Sequence, residues 1–412
     1  MKKTTLFLFA ICSAAMSYSA DKWFGDDRNS QITDPTNWYL DEERTIQADS
    51  APTSGGQDTA IMYSEKTDWR GVYLSQTDTY LYNVVITGNH HMNFGDDVLD
   101  KGKVYIDITG ELSSPIIGVF SSPEIGASFG KDGEVAVEMH VGEINVGTEI
   151  YRNKTFSYYG GMEFKIGTPD NRITDWNLLV DRDIRIGGGL YEYAGCVLNL
   201  YVDKLSVNGV LRFDRNGSSY SNMFFSRSAT FEVGGIDATN IASNFTLHNS
   251  QGSSLNSTIV LKNAAGSDYQ FIGVIADDGN NRPNISEVKA VMNVTMDGEG
   301  VQRIFNAKDD ATDILGRQSG TYTVKNGRLI MDNSRIAADY RQAKLSMEGG
   351  KFGAGHYDSS QTGTAYFKTA NFKSGGFAYE NFVNHNTFET SANDKIITVS
   401  YTHLTLPTNS RV

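Results

Sequence analysis

One figure recurs along this 412-residue chain. It is a short run of alternating apolar and polar residues, a bend containing Gly, and a second short run. The clearest copy is Lys204 to Phe213, K-L-S-V-N-G-V-L-R-F, where Leu205, Val207, Val210, Leu211 and Phe213 carry apolar side chains around Asn208-Gly209. The figure returns as F-E-V-G-G-I-D-A from Phe231, Y-T-V-K-N-G-R-L-I-M from Tyr322, L-S-M-E-G-G-K-F from Leu345 and F-K-S-G-G-F from Phe372. Period-two alternation marks a strand with one buried face. Gly and Asn-Gly admit the positive φ of a tight bend. Each copy therefore reads as strand, bend, strand.

From Val84 onward the chain is a series of such strand signals, among them V-Y-I-D-I, V-A-V-E-M-H-V, M-E-F-K-I, D-I-R-I, S-T-I-V-L and V-M-N-V-T-M. No window of a dozen residues has a 3.6-residue period, and the best helical candidate, Arg335 to Ala343, is short. Glycines closing a strand unit fall at Gly142, Gly167, Gly188, Gly209 and Gly235, spaced 25, 21, 21 and 26 apart, and resume at Gly327, Gly350 and Gly376. A sustained period in the twenties predicts an all-β parallel β-helix, a solenoid whose units bury their apolar face only against neighbours. Roughly 310 residues at about 24 per layer give on the order of 13 layers and a rod about 60 Å long. A β-sandwich stays open for part of the chain.

Composition narrows the function classes. Aromatics at 11% supply enough apolar surface to exclude a disordered chain. With 36 Lys+Arg against 49 Asp+Glu and a formal charge of −13, a nucleic-acid partner is excluded. Lys2, Lys3 and the apolar run Leu6 to Ala15, followed by Ser17-Tyr18-Ser19, read as a secretory signal over 1–19. Ile11 before Cys12 does not suit a lipoprotein site. That leaves Cys196, which has no partner for an internal disulfide and reads as a small buried hydrophobe.

Residues 20–86 are expected to form an aromatic-rich N-terminal cap and the first strands, since they hold Trp23, Trp38 and Trp69 with Pro35 and Pro52. Large aromatics at the end of a stacked sheet would hide its first unpaired edge. The rival is an aromatic platform for sugar rings. Residues 87–397 are the expected repeat region. The tail 398–412, with V-S-Y-T-H-L-T-L-P-T from Val399, resembles the in-frame translation of a transposase-type sequencing adapter, so the expectation is a gene truncated near Thr398.

The stretches T-Y-T-V-K-N-G-R-L-I-M and K-L-S-M-E-G-G-K-F-G-A, with W-F-G, P-T-N-W and P-T-S-G-G-Q-D-T-A-I-M near the start, resemble autotransporter-associated β-strand repeat proteins. The P-x-x-G-D spacing of that family is loosened here to P-T-S-G-G-Q-D. The resemblance implies a right-handed parallel β-helix exported to the surface of a Gram-negative bacterium, passenger-like, with adhesive or unassigned roles.

Carboxylates and histidines are the residues here that could carry chemistry. Asp181 and Asp183, two apart on an expected strand with Arg182 and Arg185 beside them, resemble the carboxylate-and-arginine sites of β-helical polysaccharide lyases; a charged, solvated face is the simpler reading. Asp277-Asp278-Gly279-Asn280-Asn281 could offer oxygens to Ca²⁺ but lacks the D-x-D-x-D-G spacing, and a polar turn is simpler. His90 and His91 would point to opposite strand faces, and His140, His248, His356 and His385 are isolated in sequence. No catalytic, cofactor or metal residue is assigned. The expectation is an exported structural or adhesive surface protein with a glycan or cell-surface ligand, its anchor in a missing C-terminal part. The alternative is a β-helical polysaccharide-degrading enzyme.

Overall fold

The computed structural model describes residues 20–390 except 26–29, 53–56, 65–69, 74–77, 89–91, 97–101, 117–121, 127–133, 151–161, 168–172, 188–194, 215–219, 239–243, 250–253, 279–289, 306–316, 335, 337–340, 359–362 and 379–386. The signal 1–19 and the tail 398–412 lie outside these residues. The chain is all-β. Among the described residues there are 32 strands and one 3₁₀ turn, Pro35–Asn37. The strands form sheets of 21, nine and two members. Among the described residues the pairing is parallel except where Asp21–Phe24 meets Trp38–Tyr39 and at the single bridge between Tyr39 and Gln47.

The recurring figure explains the large sheet. Lys204–Val207 lies between Ile173–Val180 and Thr230–Val233, and Leu211–Phe213 lies between Ile184–Ile186 and Ile236–Asp237, all parallel. The two strands flanking Asn208-Gly209 therefore do not pair with each other. The bend is a corner, not a hairpin turn, and each half stacks on its own counterpart in the next copy.

Stacking in register puts like residues over like. One inward row runs Leu81, Ile108, Val141, Val180, Val207, Val233, Leu261, Met296, Val324, Met347, Phe372. A second runs Val84, Leu112, Ile144, Ile184, Leu211, Ile236. The nine-stranded sheet contributes a third, Phe164, Leu198, Met223, Leu247, Ile275. The three rows meet in one buried cluster. Each such side chain contributes about 1.5–3 kcal/mol on burial before ordering entropy is counted, so a layer is stable only against its neighbours.

The glycine spacing proved a loose guide to these layers. Val324 and Met347 stack at a separation of 23 residues, but Val141 and Val180 stack at 39. Register is what burial enforces; the connections between strands absorb the difference. Nor do all the bends need a left-handed residue. Gly235, Gly327 and Gly375 have positive φ, but Gly209 does not. Gly209 is required by contact, because a Cβ there would sit 2.4 Å from Asp183 Oδ1 and 2.5 Å from the Arg182 carbonyl. The expected helix Arg335 to Ala343 is not formed at its described residues: Ile336 is in a bend and Arg341 bridges Gln318 in parallel.

At the N-terminal end the antiparallel pair covers the stack. Trp38 is fully buried, packs edge-on to Phe24 at 5.0 Å and donates its indole N–H to the Ile32 carbonyl at 2.8 Å. Trp23 is buried with Ile61 and Tyr63. Neither offers an exposed face to a sugar, and Trp69 lies outside the described residues.

Candidate functional site

Alternation that sends Val141 and Val180 inward sends their neighbours out. On the outer face of the large sheet, Tyr80, Asp107, His140, Leu179 and Ser206 form one row. Two residues back along the same strands, Asp78, Tyr105, Glu138, Asn177 and Lys204 form another. Between them lies an open groove of about 430 Å³, running from Tyr105 past His140 and Leu179 to Lys204 and Ser206. Its floor is the sheet itself.

His140 is fixed from both sides. Its Nδ1 lies 3.0 Å from Asp107 Oδ1 and its Nε2 2.9 Å from Asp181 Oδ2. Both carboxylates accept, so the ring satisfies both only when each nitrogen carries a hydrogen. The residues are 33 and 41 apart in sequence, so only the stacking of strands brings them together. Glu138 is paired with Lys103 at 2.8 Å. The rings of Tyr80 and Tyr105 lie 5.8 Å apart. Burial, then the Asp107 charge, raises the Tyr105 phenol above its ordinary value, so it stays a hydrogen-bond donor.

The expected Asp181–Asp183 pair does not share a strand face. Both residues sit in the corner between Ile173–Val180 and Ile184–Ile186 and take different partners. Asp181 faces His140. Asp183 accepts the Val210 N–H at 2.8 Å and the Arg212 Nε at 2.8 Å, while Arg212 also reaches Asp237 at 2.7 Å. Burial pushes the Asp183 carboxyl up, but the bonds from Val210 and Arg212 outweigh it and hold it below the ordinary range. Arg182 and Arg185 both pair with Glu143, each at 3.2 Å. Such a cluster braces a corner and leaves no free acid–base pair.

The Asp277 segment is not a polar turn at its described part. Asp277 lies in the strand Val274–Asp278, where an irregular register with Asn244–Asn249 leaves it without an opposite residue. It is fully buried and accepts the backbone N–H of Met292 at 2.9 Å and both the N–H and hydroxyl of Ser319 at 2.7 and 2.6 Å. Its oxygens are thereby spent internally. Gly279, Asn280 and Asn281 lie outside the described residues, as do His90, His91 and His385. His248 is buried, stacked on Phe224 at 5.1 Å, with Nδ1 donating to the Asn249 carbonyl. His356 is half-buried, its ring packed on Tyr357 at 4.2 Å. Burial pushes the Cys196 thiol up to about 12. Among the described residues no three His, Cys, Asp or Glu side chains converge on a metal position.

The groove can therefore offer an aromatic and an aliphatic wall, hydroxyl and amide groups, and one exposed ammonium. No protein-family model, curated protein or solved structure matches this chain.

Proposed function

We propose that the chain is an exported, adhesive surface protein built as a right-handed parallel β-helix, resembling the passenger region of autotransporters. The observation that supports it is the parallel, in-register stacking of eleven residues from Leu81 to Phe372. A stack of that kind makes an extended object with long outward rows of polar side chains, suited to contact with a glycan or cell surface. The test is to coat beads with the chain and measure their retention on cells and glycan-coated surfaces, assaying the same glycans for cleavage. Retention without cleavage supports adhesion; no retention on any surface removes it.

A second reading, a polysaccharide-degrading enzyme, draws on the groove and the Asp107–His140–Asp181 line beside it. Glycan cleavage that is lost in His140→Gln while the fold persists would establish that reading instead.

A further inference from the structure

The charges around the groove are unequal in one respect. Glu138 is neutralised by Lys103, and Asp107 and Asp181 are both engaged by His140. Lys204 also lines the groove, is exposed, and forms no ion pair among the described residues. Asp78, the one carboxylate of the two rows without an ion pair among the described residues, lies four layers from Lys204, about 19 Å at the layer spacing. At the Lys204 end the unpaired ammonium is complementary to an anion supplied from outside.

The remaining surface says what that anion is attached to. Alternate residues on a strand are about 7 Å apart and successive layers about 4.8 Å, so the groove is about one pyranose ring wide. The Tyr105 ring and the exposed Leu179 give a wall for the apolar C–H face of a sugar, with Tyr80 extending it. Asn177 and Ser206 supply an amide and a hydroxyl for ring hydroxyls. An extended peptide is disfavoured, because the strands under the groove are paired on both sides and offer no backbone edge to a guest. A single lysine is too little for a nucleic-acid backbone. The net charge of the whole chain is screened beyond about 8 Å at physiological ionic strength, so the nearest charge decides.

We propose that this groove is a binding subsite for an anionic saccharide, with Lys204 taking the acidic group and Tyr105 and Leu179 packing the ring. This rests on the adhesive reading above and names its ligand class. The Asp107–His140–Asp181 line acts as a rigid wall, with both ring nitrogens already bonded.

The test is titration calorimetry of the full chain with three hexasaccharides: one of uronates, one sulfated and one neutral. Binding of either anionic form supports the proposal, and the stronger of the two identifies the acidic group. The neutral form is expected to bind at least about tenfold more weakly, roughly the value of one charge-assisted hydrogen bond. Lys204→Gln, at an exposed position, should lose the same factor with an unchanged unfolding midpoint, and Tyr105→Ala should weaken all three. No anionic binding, equal affinity for the neutral form, or full affinity in Lys204→Gln overturns the subsite. Cell retention that survives Lys204→Gln would do so while leaving the adhesive reading in place.

Discussion

Gln302 makes both backbone hydrogen bonds of Ile236, a residue 66 positions earlier. Its Oε1 accepts the Ile236 N–H at 2.9 Å and its Nε2 donates to the Ile236 carbonyl at 2.8 Å. Gln302 is stacked in register on Tyr269, so the amide reaches past one layer to supply what a neighbouring strand would have given. Asn263 donates to the same Oε1 at 3.2 Å, and the group is fully buried.

Gln302→Leu keeps the bulk but leaves the Ile236 N–H and C=O buried without partners. The expected loss is about 2–4 kcal/mol, from two unsatisfied groups at about 1–3 kcal/mol each with partial relaxation. Urea unfolding followed by tryptophan fluorescence measures it; an unchanged midpoint would show that the amide is dispensable.

Asp277 and His248 oppose each other in acid. Burial raises Asp277 to about 6 despite the bonds from Ser319 and Met292, and burial lowers His248 to about 4 despite the bond to Asn249. The folded chain holds the Asp277 proton more tightly than the unfolded chain, so that stabilisation is complete below about pH 4 and is lost as pH rises through about 6. It holds the His248 proton less tightly, so that stabilisation is present above about pH 6.5 and is lost as pH falls towards 4. Each amounts to about 3 kcal/mol at most, and the two largely cancel. Asp277→Asn should lose stability between pH 7 and pH 4, and His248→Phe should gain it. Urea midpoints at the two pH values for the three proteins decide, and identical slopes in all three would refute the coupling to these groups.

Two glycines should respond differently to a methyl group. In Gly209→Ala the new Cβ meets Asp183 Oδ1 and the Arg182 carbonyl, and crowding of that kind costs about 1–3 kcal/mol. Gly266 has φ +80° and nothing within 4 Å, so Gly266→Ala should cost about 1 kcal/mol and Gly266→Asn still less. Thermal midpoints of the three variants separate contact from conformation. Equal losses in Gly209→Ala and Gly266→Asn would contradict the corner packing.

Cys196 is an internal reporter of opening. Its thiol is fully buried and raised to about 12 by that burial, so a thiol reagent at pH 8 finds almost no thiolate. A chain beginning at Ala20, in which Cys196 is the single cysteine, should stay unlabelled for hours in buffer and label fully in denaturant. Rapid labelling of the native chain would place Cys196 outside the core.

Strands were readable from the sequence because period two survives in short windows: V-A-V-E-M-H-V alone fixes which face of Val135–Ile150 is buried. Their partners were less so, since stacking joins residues 22 to 42 positions apart with no local signal for the exact distance. The groove suffers from the same limit. Tyr105, His140, Leu179 and Lys204 come from four strands, and each alone reads as an ordinary outward residue. Asp181 and Asp183 failed for another reason, because a corner rotates the chain and cancels the alternation that would have put them on one face. Asp277 looked like a turn by composition, yet an irregular register turned it inwards.

The unequal spacing of the stacked core residues has a bearing on how this molecule can change. Val141 and Val180 are as well seated on each other as Val324 and Met347, although 39 residues separate the first pair and 23 the second. The stack keeps no count of residues. Segments inserted or deleted between strands leave the layers on either side in place, so new surface can accumulate by duplication and drift while the frame beneath it stays the same.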